Sequence, residues 1–164
     1  YTTRSYQFSI VPGLSSHGRM NPQVTNGVSI NLLGGYSGGT NVFEVGTFFN
    51  IDKKHVKYGQ VAGIFNLVGG NLNGIQVASI YNEVADTVHG TQVSGLVNKA
   101  SEVKGIQVAS LYNKAKSISG LQIGLINVTE GLQGTSIGLI NLSKGKRSKY
   151  NVGFILRLPR SQRI

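Results

Sequence analysis

Cysteine is absent from the 164 residues, which excludes a disulfide framework and any thiolate metal site. Proline occurs only at Pro12, Pro22 and Pro159. All three lie outside the repeated part of the chain, as unbroken strand ladders require, because proline cannot donate to one. No run of 18 apolar residues exists, so the sequence offers no transmembrane helix, and no signal peptide is readable. Tyr1 is not an initiator methionine, so the chain is expected to begin after processing or to be a fragment. Acidic residues are scarce: Glu44, Asp52, Glu83, Asp86, Glu102 and Glu130 stand against 16 Lys and Arg. Most fall at predicted turns or strand ends, and no two have a spacing suited to general acid–base chemistry. His17, His55 and His89 lie in three separate segments without further metal-ligating residues. There is no Gly-x-Ser-x-Gly elbow, and the glycine run at 34–40 lacks the Gly-Lys-Ser/Thr of a phosphate loop. The expectation is a non-enzymatic protein with no catalytic, cofactor-binding or metal-binding residues.

What the sequence has in abundance is repetition. Gly-Gln-Val-Ala-Gly-Ile-Phe-Asn from Gly59 is followed by Gly-Ile-Gln-Val-Ala-Ser-Ile-Tyr-Asn from Gly74, and Gly90, Gly105, Gly120 and Gly134 open further copies. Gln60, Gln76, Gln92, Gln107 and Gln122 hold one slot, taken by Ser136 in the last copy. Asn66, Asn82, Asn98, Asn113, Asn127 and Asn141 close the units. So regular a period means one supersecondary unit used repeatedly. The chain reads as a single repeat-built β domain over 1–164. Lead-in strands and a degenerate repeat occupy 1–50, the repeats 56–141 and a closing strand 150–158.

Within a unit the period is 2. Every second residue from Val103 gives Val103, Gly105, Gln107, Ala109, Leu111, Asn113 and Ala115, and the copy from Val88 matches it almost throughout. The intervening residues are β-branched and aromatic, with Lys at the ends. Glycine is too frequent, and the recurrence too far from 3.6, for a helix. The parity breaks at Ser101-Glu102 and Lys116-Ser117, which reads as long strands joined by short links. Short links favour antiparallel neighbours. An open meander of that size leaves long edges, and closure removes them. The expected fold is therefore an all-β, up-and-down antiparallel β-barrel of about ten strands, with Gln and Asn inside and Ile75, Val77, Tyr81, Ile106, Val108 and Tyr112 toward lipid. Phe49, Tyr81 and Tyr112 would form a girdle, and the interior would be plugged. The alternative is a β-solenoid with one 14–16-residue repeat per coil, its identical residues stacked in ladders. The shortening to Gln-Ile-Gly-Leu-Ile-Asn at Gln122 flips the parity of Asn127, which a solenoid with variable turns tolerates more readily than a barrel.

At these residues the chain resembles a known group. The unit Gly-x-Gln-x-Ala/Gly-Gly/Ser-Leu/Ile-x-Asn is similar to that of the surface repeat-containing proteins of Gram-negative bacteria, mainly Bacteroidota and spirochaetes. Residues Val11-Pro12-Gly13-Leu14-Ser15 and the run from Ser29 to Tyr36 resemble the lead-in to such repeats. The resemblance covers about 8–141 and implies an outer-membrane or cell-surface location. It supplies no catalytic residues.

Two sets of residues stand out as candidate sites. Lys53, Lys54 and Lys57 surround one link, and Lys144, Lys146, Arg147 and Lys149 another. In a ten-strand barrel these links share a side, where they would contact lipid phosphates or lipopolysaccharide. Glu44 falls on the Gln/Asn parity with Gln60, Gln76, Gln92, Gln107 and Gln122, as an interior polar site, and an interior charge there would pair with Arg157 or a Lys. The expected partners are outer-membrane lipid or lipopolysaccharide and other envelope proteins in a complex. Nucleic acid is not expected, because the basic residues do not interleave with stacking aromatics and no recognition helix is readable. The expected function is a non-enzymatic outer-membrane barrel, a structural or accessory part of a bacterial envelope assembly. The alternatives are a surface-exposed solenoid that binds a protein or glycan and, more weakly, a narrow polar transport channel.

Overall fold

Alternating polar and branched residues make strands, and strands form throughout. The computed structural model describes residues 2–12, 14–16, 23–144 and 150–157. The elements are β1 (Thr2–Val11), β2 (Leu14–Ser15), β3 (Val24–Asn31), β4 (Gly34–Ser37), β5 (Gly39–Gly46), β6 (Phe49–Asp52), β7 (Val56–Ala62) and β8 (Phe65–Val68). They continue as β9 (Leu72–Ala78), β10 (Tyr81–Ser94), β11 (Val97–Ala109), β12 (Tyr112–Ile123), β13 (Ile126–Leu132), β14 (Thr135–Ser143) and β15 (Tyr150–Arg157).

The chain winds into a parallel β-solenoid of about eight turns, not a closed antiparallel barrel. Each coil has two flattened faces. On one, β1, β3, β5, β7 and β9 pair side by side and continue into the second halves of β10, β11 and β12. On the other, β4, β6 and β8 continue into the first halves of β10, β11 and β12, then into β13 and β14. All these ladders are parallel, and among the described residues only the two-residue β2 pairs antiparallel, with β1. β15 pairs with β14 and stands at the opposite end of the strand order from β1, so it closes nothing.

The barrel expectation failed on what a short link does. A link between strands that pair with each other must reverse the chain. Here each link turns the chain around an edge of the coil onto the other face. The next hydrogen-bonded neighbour then comes a full period later. Parallel pairing needs a crossover in place of a hairpin, and the other half of the coil supplies it, as residues 63–71 do between β7 and β9. The breaks at Ser101-Glu102 and Lys116-Ser117 are not strand ends: β11 and β12 run through them and contribute to both faces. The interruptions lie instead at residues 79–80, 95–96, 110–111 and 124–125. For the same reason the run from Ser29 to Tyr36 is cut at Leu32-Leu33.

The two edges explain the drifting period. Successive asparagines are 16, 16, 15, 14 and 14 residues apart. Between buried Val84 and Val88 the chain spends three residues, but between Ala100 and Val103 only two. Later, Gly124 replaces the pair Ala109-Ser110 at the opposite edge, and the parity change at Asn127 is absorbed there. A side chain on Gly124 would strike the Asn113 amide.

The parity assignment holds for the amides but not for the leucines. Gln and Asn point inward and the branched and aromatic residues outward, while Leu96 and Leu111, on the parity of the amides, are exposed where the chain rounds the edge. Inside, beside one edge, Val56, Leu72, Val88, Val103, Ile118 and Leu132 pack against Val68, Val84, Ala100 and Ala115 as the apolar core. The amides fill the remainder of the coil. Gly90 shows how closely coils approach: its φ is 140°, and an added Cβ would collide with the Gly74 carbonyl oxygen. That backbone region is essentially reserved to glycine.

Candidate functional site

Each inward glutamine donates from Nε2 to the Oε1 of the preceding coil: Gln76 to Gln60 at 3.0 Å, Gln92 to Gln76 at 2.9 Å, Gln107 to Gln92 at 2.8 Å and Gln122 to Gln107 at 2.9 Å. The asparagines run the other way. Asn66 Nδ2 donates to Asn82 Oδ1 of the following coil at 3.0 Å, and the pattern continues to Asn127 and Asn141 at 2.9 Å. The asparagine amides also donate across the coil, Asn82 to the Val93 carbonyl and Asn98 to the Val108 carbonyl, both at 2.7 Å. The two ladders therefore carry opposed dipoles, and the amides within them bond one another in place of water, except that Gln122 Oε1, where the column passes to Ser136, has no partner among the described residues. The predicted interior polar residues Gln60, Gln76, Gln92, Gln107 and Gln122 thus share one column with Glu44, and all six are 0 % exposed. They fill the coil and leave no conducting lumen between them, so the channel alternative has no physical basis in this geometry.

Glu44 does not face Arg157, which belongs to β15 at the far end of the stack. Its neighbour is Asp52, also buried. Gln60 Nε2 donates to both, at 2.9 Å to Glu44 and 2.7 Å to Asp52. Asn31 Nδ2 donates to Glu44 at 2.8 Å, and the Ser37 hydroxyl donates to Asp52. Burial first, then the negative charge of Glu44 and a hydrogen bond with it, push the Asp52 carboxyl well above its usual 3.8. The hydroxyls of Ser37 and Thr40 pull the other way and do not prevail. Asp52 therefore holds its proton to higher pH than an exposed carboxyl does.

Asp52 was read as a turn residue because Lys53 and Lys54 follow it. A usable signal was present: it stands two residues after Asn50, as Val68 stands after Asn66 and Val84 after Asn82. It occupies a core slot.

The exterior is divided. Along the edge at residues 79–80 and 95–96, Leu33, Phe48, Ile64, Ile80, Leu96, Leu111, Leu125 and Leu139 form one exposed column. Beside it on the asparagine face stack Phe49, Phe65, Tyr81, Val97 and Tyr112, with the Phe49 and Phe65 rings 5.2 Å apart and parallel within 7°. The expected girdle is thus a column on successive coils. On the glutamine face follow Val61, Val77, Val93 and Val108, then Ile75, Thr91 and Ile106.

The basic residues keep to the other edge and its flanks. Lys53 and Lys54 lie at that edge, Lys53 over the Tyr36 ring at 5.7 Å, and Lys57 begins the next strand. Lys144 follows β14 on the same edge, many coils away. The structure does not bring Lys53, Lys54 and Lys57 together with Lys144, while Lys146, Arg147 and Lys149 lie outside the described residues. Lys99, Lys104, Lys114 and Lys116, not singled out from the sequence, are exposed between these ends. Lys99 reaches Glu83 at 2.6 Å and Lys104 reaches Glu102 at 3.5 Å.

Among the described residues no helix is long and apolar enough to cross a membrane, and no three His, Asp or Glu side chains are grouped to hold a metal ion. Comparison with protein families, curated proteins and solved structures finds no match to this chain.

Proposed function

We propose that this chain is a non-enzymatic, surface-exposed β-solenoid that acts as a binding element of a bacterial envelope. The observation that carries this reading is the inverted polarity of one edge. Amides that would be content in water are sealed inside, while Leu, Ile, Val and aromatic columns stand outside. A patch of about eight coils at about 4.8 Å by six residues at about 3.3 Å covers roughly 750 Å². That exceeds the 300–600 Å² of the largest patch on an ordinary monomer, and such patches mark interaction sites. The resemblance of the repeat unit to surface repeat-containing proteins supports the location.

The test is Ile106→Asp with Leu111→Asp, two outward positions on that edge, expressed in a Gram-negative host beside the parent chain. The parent is expected in the envelope fraction and digested by protease added to intact cells. The variant, with an unchanged far-ultraviolet spectrum and unfolding midpoint, is expected to leave the envelope. Equal partitioning of the two would refute the reading.

A further inference from the structure

Resting on that reading, we infer that the partner of the apolar edge is the surface of an anionic lipid bilayer, on which the solenoid lies as a monotopic element. The edge column is aliphatic on coil after coil, through Ile80, Leu96, Leu111 and Leu125, while beside it Tyr81, Val97 and Tyr112, and Ile75, Thr91 and Ile106, alternate. The unbroken edge column suits a partner that is itself laterally uniform. The backbone is ready for an apolar medium. At the edge, Ile80 N–H donates to the Ile64 carbonyl at 3.0 Å, Val97 to Ile80 at 2.9 Å and Ile126 to Leu111 at 2.8 Å. Coil-to-coil bonding thus continues around the bend, and polar backbone groups that lipid would penalise are already paired.

Charge complements the apolar columns. Lys99 and Lys114 stand two residues beyond Val97 and Tyr112 on one face, and Lys57 and Lys104 precede the apolar columns on the other. From Leu96 to Lys99 is three residues, about 10 Å of strand. This matches the 5–10 Å to which interfacial elements bury their apolar side, with ammonium groups left at headgroup level. Lys99 and Lys104 are paired with Glu83 and Glu102, and Lys57 and Lys114 have no acidic partner among the described residues, so these two carry the net positive charge of the belt. Where the edge shortens by a residue, an open groove of about 590 Å³ lined by Val108, Ile123, Leu125, Ile137 and Leu139 offers a seat for an acyl chain.

The experiment is flotation of the purified chain with unilamellar vesicles of phosphatidylcholine alone or mixed with phosphatidylglycerol. The parent is expected to float with the anionic vesicles and to be released in part by high salt. The pair Ile106→Asp and Leu111→Asp should abolish flotation on both. Lys57→Gln with Lys114→Gln should weaken anionic binding about fivefold per lysine and leave weak binding to neutral vesicles unchanged. Failure of the parent to float on either vesicle would overturn the lipid assignment. So would equal flotation of the Asp variant, or a stable dimer in solution that hides the edge. If the same Asp variant still leaves the envelope in cells while purified parent ignores vesicles, the binding-element reading survives with a protein as its partner, and only the lipid falls.

Discussion

The coils around β5 and β6 and those of β10 to β12 share one backbone path but not one interior. In the later coils, an apolar half built from Val84, Val88, Ala100, Val103, Ala115 and Ile118 adjoins an uninterrupted pair of amide ladders. In the earlier ones the same slots hold Ser37 and Asp52 in place of Val or Ala, Thr40 in place of Val or Ile, and Glu44 in place of Gln. The ladders end there. Gly35 has no side chain in the asparagine column, and Asn31 reaches across from the other face to bond Asn50 at 2.9 Å and Glu44 at 2.8 Å. The fold thus tolerates a change of interior chemistry where the polar atoms find partners, and the burial of two carboxyls together raises the pKa of Asp52.

Breaking the regular region should cost most. Gly90→Ala combines a backbone conformation closed to alanine with a collision against Gly74, and is expected to destabilise by about 3–5 kcal/mol in denaturant titration. Next comes Gln92→Leu. It strands Gln76 Oε1 and Gln107 Nε2 in a buried column, for about 2–4 kcal/mol, whereas Gln92→Glu in the same place should be worse at neutral pH than at acidic pH.

The irregular region should announce itself through pH. Because the Asp52 pKa is raised on folding, the folded chain keeps a proton that the unfolded chain releases above about 3.8. Stability is then fully present below that value and falls as pH rises toward the raised folded pKa, levelling off above it. Asp52→Asn should remove this decline, read as amide exchange rates at residues 39–62 across pH. A slope unchanged by Asp52→Asn would mean that the proton is not held there.

The smallest effect concerns Tyr58. It occupies the glycine column beside Gly74 with φ 67° and is 71 % exposed. Tyr58→Gly relieves about 1–2 kcal/mol of left-handed strain and loses about half of that to backbone entropy, for a net gain below about 1 kcal/mol. A loss instead would assign the ring a contact of its own.

Much of the site could be read from the residues in order. Glu44 was recognisable as interior because it stands in the Gln60 slot. Asp52 was not, because two lysines after it resemble a turn, and its meaning depends on alignment with Val68. The lysine clusters were visible, but the separation of Lys53 and Lys54 from Lys144 along one edge depends on how many coils lie between them. Lys99 and Lys114 became relevant only when they proved to border the column of Val97 and Tyr112.

The period and the inward placement of Gln, Asn and Glu44 followed from the amino acids alone, because a strand alternates its side chains whichever neighbour it meets. The direction of pairing did not. A two-residue link serves a hairpin and a coil corner equally well, and the choice between them is made by contacts a full period apart. Only winding into coils placed Gln over Gln, set Asp52 against Glu44, and turned the aliphatic parity into a continuous outer edge.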